Sequence, residues 1–124
     1  MASALREVSD VLWRERRLLE LLEFKLEEER LLSEAGRVRW LARATREVAA
    51  VRGELRQAEL ARALVVEAAA AELGVDPGIT LKDLAEVAPE PWAGILARHR
   101  FALLRSAREV IRLAQHCKVL QEAR

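Results

Sequence analysis

Apolar residues recur along most of this chain at intervals of three and four positions, a spacing that places side chains on one face of an α-helix. Glycine and proline interrupt this pattern chiefly between Gly74 and Gly78 and again at Pro89 and Pro91. The pattern therefore predicts three long helices, with one short helical segment between the second and the third. We expect these elements at Ser3–Ser33, Arg37–Leu73, Thr80–Val87 and Trp92–Glu122.

The first long helix has an apolar face that is wider than a two-stranded coiled coil requires. Two glutamates, Glu15 and Glu29, fall in the register of its heptad, whose apolar members are Leu5, Val8, Leu12, Leu19, Leu22 and Leu26. Further apolar residues lie beside this heptad, at Val11, Leu18, Leu21, Phe24, Leu31 and Leu32. An apolar face of this width suits a helix that touches two neighbouring helices.

The second long helix begins with a regular heptad and then changes phase. Its early seam consists of Leu41, Ala44, Val48, Val51, Leu55 and Ala58, and the later apolar positions shift towards Ala61, Leu64, Val65 and Ala68. Such a shift predicts a local change in supercoiling. The alanines at 68–71 suit either the close approach of another backbone or a solvated helix end. Gly36 and Gly74 are placed to end the first and second helices.

The short segment and the last helix follow the punctuated stretch. The residues from Thr80 to Asp83 resemble a capping box, and they predict a short helix with Leu81, Leu84 and Val87 on its inward side. The last helix has the most regular heptad of the chain, formed by Leu96, His99, Leu103, Ser106, Val110, Leu113, Cys117 and Leu120. A second stripe lies partly off that seam and contains Phe101, Leu104, Arg108 and Ile111.

The composition supports a single all-α domain. Of the 124 residues, 52% are hydrophobic, 33% are charged and 4% are aromatic, which is typical of long amphipathic helices. Residues that favour strands occur within the helical periodicity and never alternate over a long run. We therefore expect one domain over residues 1–124, an antiparallel bundle or coiled coil of three long helices with a short clip helix before the last.

The distribution of charge says more than the net charge of +1, which by itself predicts no polyanionic partner. Residues 1–34 hold 6 basic and 9 acidic side chains, whereas residues 95–124 hold 7 basic and 2 acidic ones. The favoured interpretation is electrostatic complementarity between helices, in which each exposed ion pair adds about 0–1 kcal/mol and chiefly sets register. Nucleic-acid binding is disfavoured, because the arginines spread around the last helix and aromatic stacking platforms are sparse.

No set of residues in the sequence forms a catalytic or metal-binding motif. His99 occupies a seam position, where a packed histidine is more frequent than a general base. His116 and Cys117 are helical neighbours about 100° apart, so they do not form a metal pair, and no glutamate precedes a histidine by three positions. The single cysteine excludes an intramolecular disulfide. We therefore expect no catalytic residue, no metal and no cofactor.

Two further features of the sequence favour the cytoplasm. The N-terminal residues lack the positively charged start and apolar core of a signal peptide. No run approaches 18 consecutive apolar residues, so we expect no membrane span.

The order of the helical segments resembles that of the FlgN-type flagellar export chaperones. The stretch from Leu22 to Gly36, which closes on glutamates, a leucine pair and a short polar corner, is similar to the first helix of that family. The likeness continues at Trp40-Leu41, Thr45-Arg46-Glu47, Glu59-Leu60-Ala61-Arg62, Ala71-Glu72-Leu73-Gly74 and Thr80-Leu81-Lys82-Asp83-Leu84, and it ends with the helix from Leu96 to Leu120. The resemblance covers nearly the whole chain.

This resemblance implies a non-enzymatic role. Chaperones of the family hold the C-terminal amphipathic helices of hook-associated, hook-filament junction proteins in the cytosol. They prevent premature assembly and deliver these clients to components of the type III export gate. Helix-in-groove docking would cover the apolar face that makes a free client helix prone to aggregate.

The last helix is the expected client surface, because it combines two apolar stripes with a basic border. The candidate residues are Phe101, Leu104, Val110, Ile111, Leu113 and Leu120, and the border consists of Arg105, Arg108 and Arg112. The alternative is that these residues are buried within the bundle or within a homodimer. A separate alternative for the function is a structural coiled-coil scaffold whose wide apolar faces close a homo-oligomer.

Overall fold

A computed structural model describes residues 2–123 of the chain. In this range it contains four helices, α1 (Ala2–Glu34), α2 (Val38–Leu73), α3 (Leu81–Val87) and α4 (Trp92–Ala123). The predicted all-α fold, with three long helices and a short one before the last, is confirmed. Each predicted helix end agrees with the structure to within one residue.

The first helix, α1, lies between the other two long helices. Both α2 and α4 pack along α1, whereas within residues 2–123 no Cα atom of α2 lies within 8 Å of a Cα atom of α4. The ion pairs between α1 and α2 show that these helices are antiparallel. In contrast, α4 runs in the same direction as α1, since His99 contacts Ser9 and Cys117 contacts Leu26. The wide apolar face predicted for the first helix therefore serves two neighbours.

The seams predicted for α1 and α4 form the core. Every heptad residue of α1 is at most 8% exposed, including the polar members Glu15 and Glu29. The α4 seam is also confirmed, because six of its members are buried and Ser106 and Leu120 are half-buried. Burial of each leucine side chain contributes about 1.5–3 kcal/mol, so these two seams hold α1 and α4 together.

The predicted change of phase in α2 is wrong. Its early seam is largely buried as expected, and farther along the helix the buried residues are Val66, Ala69 and Ala70, while Arg62 and Val65 are half-buried. Leu64 is 69% exposed and Ala68 is also exposed, so neither belongs to the seam. The apolar pattern gave the wrong residues because a charged residue, Arg62, lies on the packed side of α2, where it faces Glu15 of α1.

Two glycines in the left-handed conformation end α1 and α2, as predicted. Gly36 has φ of 68° and Gly74 has φ of 70°, a region that glycine enters without the steric cost of a Cβ atom. The Gly74 N–H donates to the Ala71 carbonyl, and the next N–H donates to the Ala70 carbonyl. Of the four alanines at 68–71, the middle two are buried and the outer two are exposed.

The short helix α3 begins at the predicted cap and packs mainly on α4. The Thr80 Oγ1 atom accepts a hydrogen bond of 3.1 Å from the Asp83 N–H. The predicted inward position of Val87 is wrong, since this side chain is 49% exposed. Three-residue steps drift around a helix, so Val87 points away from the side that buries Leu84 and Ala85.

Candidate functional site

A buried charge pair joins α1 to α2. Glu15 is 3% exposed, and its Oε1 atom lies 3.2 Å from Nε of Arg62. This contact lacks hydrogen-bond geometry, and within residues 2–123 that oxygen has no hydrogen-bond partner. Burial raises the pKa of Glu15 to about 7, because the loss of hydration outweighs the attraction of Arg62. Opposite charges at two facing seam positions specify the register of α1 on α2.

A buried histidine joins α1 to α4. The His99 Nδ1 atom lies 3.2 Å from an Arg16 nitrogen, and its Nε2 atom lies 2.9 Å from Ser9 Oγ. Since arginine can only donate, Nδ1 accepts and the neutral ring donates from Nε2 to Ser9. Burial, together with the positive charges of Arg16 and Arg98, lowers the pKa of His99 to about 4. The ring also meets Trp13 edge-on at 4.9 Å, so it acts as a packed core residue.

The single cysteine is also part of the α1–α4 contact. The Cys117 thiol donates to the Leu26 carbonyl oxygen at 3.5 Å. Burial raises the pKa of this thiol to about 11, and the nearby Glu29 carboxylate acts in the same direction. Nucleophilic chemistry requires a thiolate, so a buried thiol of this kind is inert.

Neither a metal centre nor a membrane-spanning helix is found in the described part of the chain. Within residues 2–123, no group of three histidine, cysteine, aspartate or glutamate side chains is arranged to hold a metal ion. No helix in the same range is both long and apolar enough to cross a bilayer.

The most prominent exposed apolar feature of α4 lies on the face opposite its seam. We call this face the α4 stripe and define it as Phe101, Leu104, Arg108 and Ile111. Phe101 is 70% exposed, Leu104 is 40% exposed and Ile111 is 67% exposed. Because the four positions are spaced by three, four and three residues, the stripe has the spacing of a coiled-coil seam.

The structure divides the sequence-predicted candidates into two groups. Val110 and Leu113 are 7% and 1% exposed, so they pack in the core and hold α4 in place. Leu120 is half-buried near the end of α4. The remaining six candidates lie on exposed surface, namely the four stripe residues with Arg105 and Arg112. Spacing separated the seam from the second stripe, but it could not show which of the two faces packs on α1, because both carry apolar residues at heptad intervals.

Two further exposed apolar surfaces were not among the predicted site residues. A groove of about 930 Å³ lies between α1 and α4 and includes Phe24 and Leu31, which are 54% and 52% exposed. The seven-residue spacing of Phe24 and Leu31 beside the α1 heptad was a sequence signal from which this exposed surface could have been predicted. On α2, Leu60 and Leu64 are each 69% exposed, and we call this pair the α2 patch. Leu64 was missed because the predicted phase shift assigned it to the seam.

The comparison with protein families agrees with this non-catalytic architecture. The family model described as FlgN protein matches residues 1–124. Searches of curated proteins and of solved structures return no match. The chain therefore belongs to the FlgN family, whose members are flagellar export chaperones for hook-associated proteins and are not enzymes.

Proposed function

We propose that the C-terminal amphipathic helix of a hook-associated client packs lengthwise along the α4 stripe. The observation that carries this proposal is the exposure of Phe101, Leu104 and Ile111 on one face at coiled-coil spacing. An amphipathic helix recognises such a surface through its own apolar residues at three- and four-residue intervals.

The energy available from the stripe suits reversible binding. Complete burial of a large apolar side chain contributes about 1.5–3 kcal/mol, and the three stripe residues are already partly covered. Several kcal/mol from this surface are opposed by the entropy lost on association. A chaperone that must release its client for export needs such a moderate net affinity.

The core candidates have a supporting role in this proposal. Val110 and Leu113 anchor α4 on α1, which keeps the opposite face turned outward. Arg105 and Arg112 border the stripe and would contact polar residues at the edge of the client helix, and Leu120 continues the anchoring seam. Covering the client helix in the cytoplasm would prevent premature assembly. Delivery of the complex to components of the export gate would then release it.

The test compares two equally exposed apolar pairs. Phe101→Asp with Ile111→Asp changes the α4 stripe, and Leu60→Asp with Leu64→Asp serves as the control on α2. Calorimetric titration with the C-terminal helical peptides of hook-associated proteins from the same organism measures binding, and circular dichroism checks the fold. We expect loss of binding only in the α4 variant. Equal binding by both folded variants would contradict a client site on the α4 stripe.

A homodimer is the second candidate association, and the α2 patch favours it. Leu60 and Leu64 are exposed one helical turn apart, and the charged residues nearest to them on the same face, Arg56 and Glu67, have opposite signs, so the surface carries no net charge. Such a neutral surface can pair with its own copy. Sedimentation of the Leu60→Asp, Leu64→Asp variant tests this candidate, since a dimer formed through α2 would dissociate. A stable wild-type dimer that ignores client peptides would instead favour the structural scaffold.

A further inference from the structure

One arginine interrupts the apolar residues of the α4 stripe and has no partner within the described chain. Arg108 is exposed on the outward face between Leu104 and Ile111. The positions three and four residues away are occupied by Leu104, Arg105, Ile111 and Arg112, so no carboxylate of the same helix can reach its guanidinium. Within residues 2–123, no acidic side chain forms an ion pair with Arg108.

Three other arginines of α4 have acidic neighbours. Arg112 is paired with Glu109. Arg100 and Arg105 line grooves that also contain glutamates from the neighbouring helices. Residues 98–118 together hold five arginines and one lysine against a single glutamate. Arg105, Arg108 and Arg112 are all exposed on α4, and within residues 2–123 Arg108 has no neutralising group.

A docked helix would enclose this charge between apolar side chains. Removing a guanidinium from water without a partner costs free energy, whereas a carboxylate in contact with it forms a charge-assisted, bidentate pair. A client helix with an uninterrupted apolar seam would therefore lose part of the energy that it gains from Phe101, Leu104 and Ile111. A client with one acidic residue at the matching seam position would not incur this loss.

We propose that the client helix carries a carboxylate within its own apolar seam, positioned against Arg108, and is acidic along the edges of that seam. This inference rests on the proposed docking of a client helix on the α4 stripe. It identifies the recognised partner chemically, as an amphipathic helix with an acidic residue where a purely apolar one would otherwise pack.

The same charge argues against a second copy of α4 as the occupant of the stripe. Pairing two α4 stripes would bring the arginine-rich faces together, and like charges at an interface oppose association. The stripe is therefore suited to a partner of opposite charge, in contrast to the neutral α2 patch.

The experiment compares two charge reversals on exposed arginines. Arg108→Glu changes the stripe, and Arg46→Glu is the matched control on α2. Arg46 is exposed, and alanine or arginine occupies the positions three and four residues away from it. The probes are peptides of the C-terminal helices of hook-associated proteins from the same organism, titrated at low and high salt.

We expect Arg108→Glu to weaken binding roughly tenfold or more and Arg46→Glu to leave it nearly unchanged. Exchanging one seam carboxylate of the peptide for arginine should restore binding to Arg108→Glu and weaken binding to the wild type. Equal affinities of Arg108→Glu and Arg46→Glu would overturn the inference, because Arg108 would then extend its charge into solvent from the interface.

The outcomes separate this inference from the proposed function. If Phe101→Asp with Ile111→Asp abolishes binding and Arg108→Glu does not weaken it, the stripe binds the client but does not recognise a carboxylate. If neither α4 variant differs from its control, or if the wild type binds none of the peptides, the client does not dock on the α4 stripe. The inference is then overturned together with the proposed function.

Discussion

Replacing Glu15 by glutamine should stabilise the protein at alkaline pH and change its stability little at acidic pH. The carboxyl is 3% exposed, and its burial raises the pKa from 4.5 to about 7. Between these values the folded state keeps a proton that the unfolded state releases. The contribution of Glu15 to stability is therefore fully present below pH 4.5 and is lost as the pH rises through 7.

The magnitude follows from the difference between the two pKa values. At about 1.4 kcal/mol for each tenfold change in proton affinity, a rise from 4.5 to about 7 corresponds to about 3 kcal/mol. Glutamine retains the shape of the side chain but does not ionise. The Arg62 side chain is 33% exposed, so it can turn towards water when the charge of its partner is removed. Relative to the wild type, Glu15→Gln should gain up to about 3 kcal/mol between pH 5 and pH 8.

The assay is urea denaturation followed by circular dichroism at pH 5 and pH 8. Glu54→Gln is the control, because Glu54 is exposed on α2 and no basic residue lies three or four positions away from it along the helix. Its free energy of unfolding, measured at the same two pH values, gives the effect of removing an exposed carboxylate. If the difference in free energy of unfolding between Glu15→Gln and the wild type is the same at pH 5 and pH 8, the attraction of Arg62 matches or exceeds the cost of burial, and the reasoning is refuted.

Two further predictions concern other contacts of the bundle. Burial lowers the pKa of His99 from 6.5 to about 4, so the contribution of this residue to stability is full above pH 6.5 and is lost as the pH falls through 4. In urea denaturation between pH 7 and pH 4, the wild type should therefore lose about 3 kcal/mol that His99→Gln does not lose. An unchanged pH profile in His99→Gln would contradict the prediction. Thr80→Ala removes the side-chain cap of α3 and should cost about 1 kcal/mol in the same assay without weakening client binding, whereas a loss of affinity would place α3 in the client site.

Most of the fold could be predicted because its helices keep one apolar face in register over many turns. The heptads of α1 and α4 and the helix ends at Gly36, Gly74 and Thr80 follow from local spacing and turn chemistry. The central position of α1 followed from the width of its apolar face. These features depend on short-range sequence patterns, which a single chain displays directly.

The remaining features depend on contacts between helices. Arg62 lies in the α2 seam because Glu15 faces it from α1, and a pattern of apolar residues along one helix cannot reveal such a pair. The client-surface prediction included Val110 and Leu113, which the structure buries, because both apolar faces of α4 have heptad spacing. Which face packs on α1 is decided by tertiary contacts.

Two polar residues favour the burial of the observed apolar face of α4. In the observed orientation, His99 hydrogen-bonds Ser9 and Arg16, and Arg108 remains in water. Turning α4 by half a revolution would break the histidine contacts and bury Arg108 without a partner, at a cost of several kcal/mol.

Arg108→Leu should therefore weaken this discrimination and join Phe101, Leu104 and Ile111 into an uninterrupted apolar surface. We expect the variant to self-associate in sedimentation experiments at concentrations where Arg46→Leu, the matched substitution on α2, behaves as the wild type. Equal sedimentation of the two variants would show that Arg108 is not needed to keep the stripe available to a partner. The physical reason for the prediction is that a chaperone surface must be apolar enough to hold a client helix and charged enough to avoid its own copies.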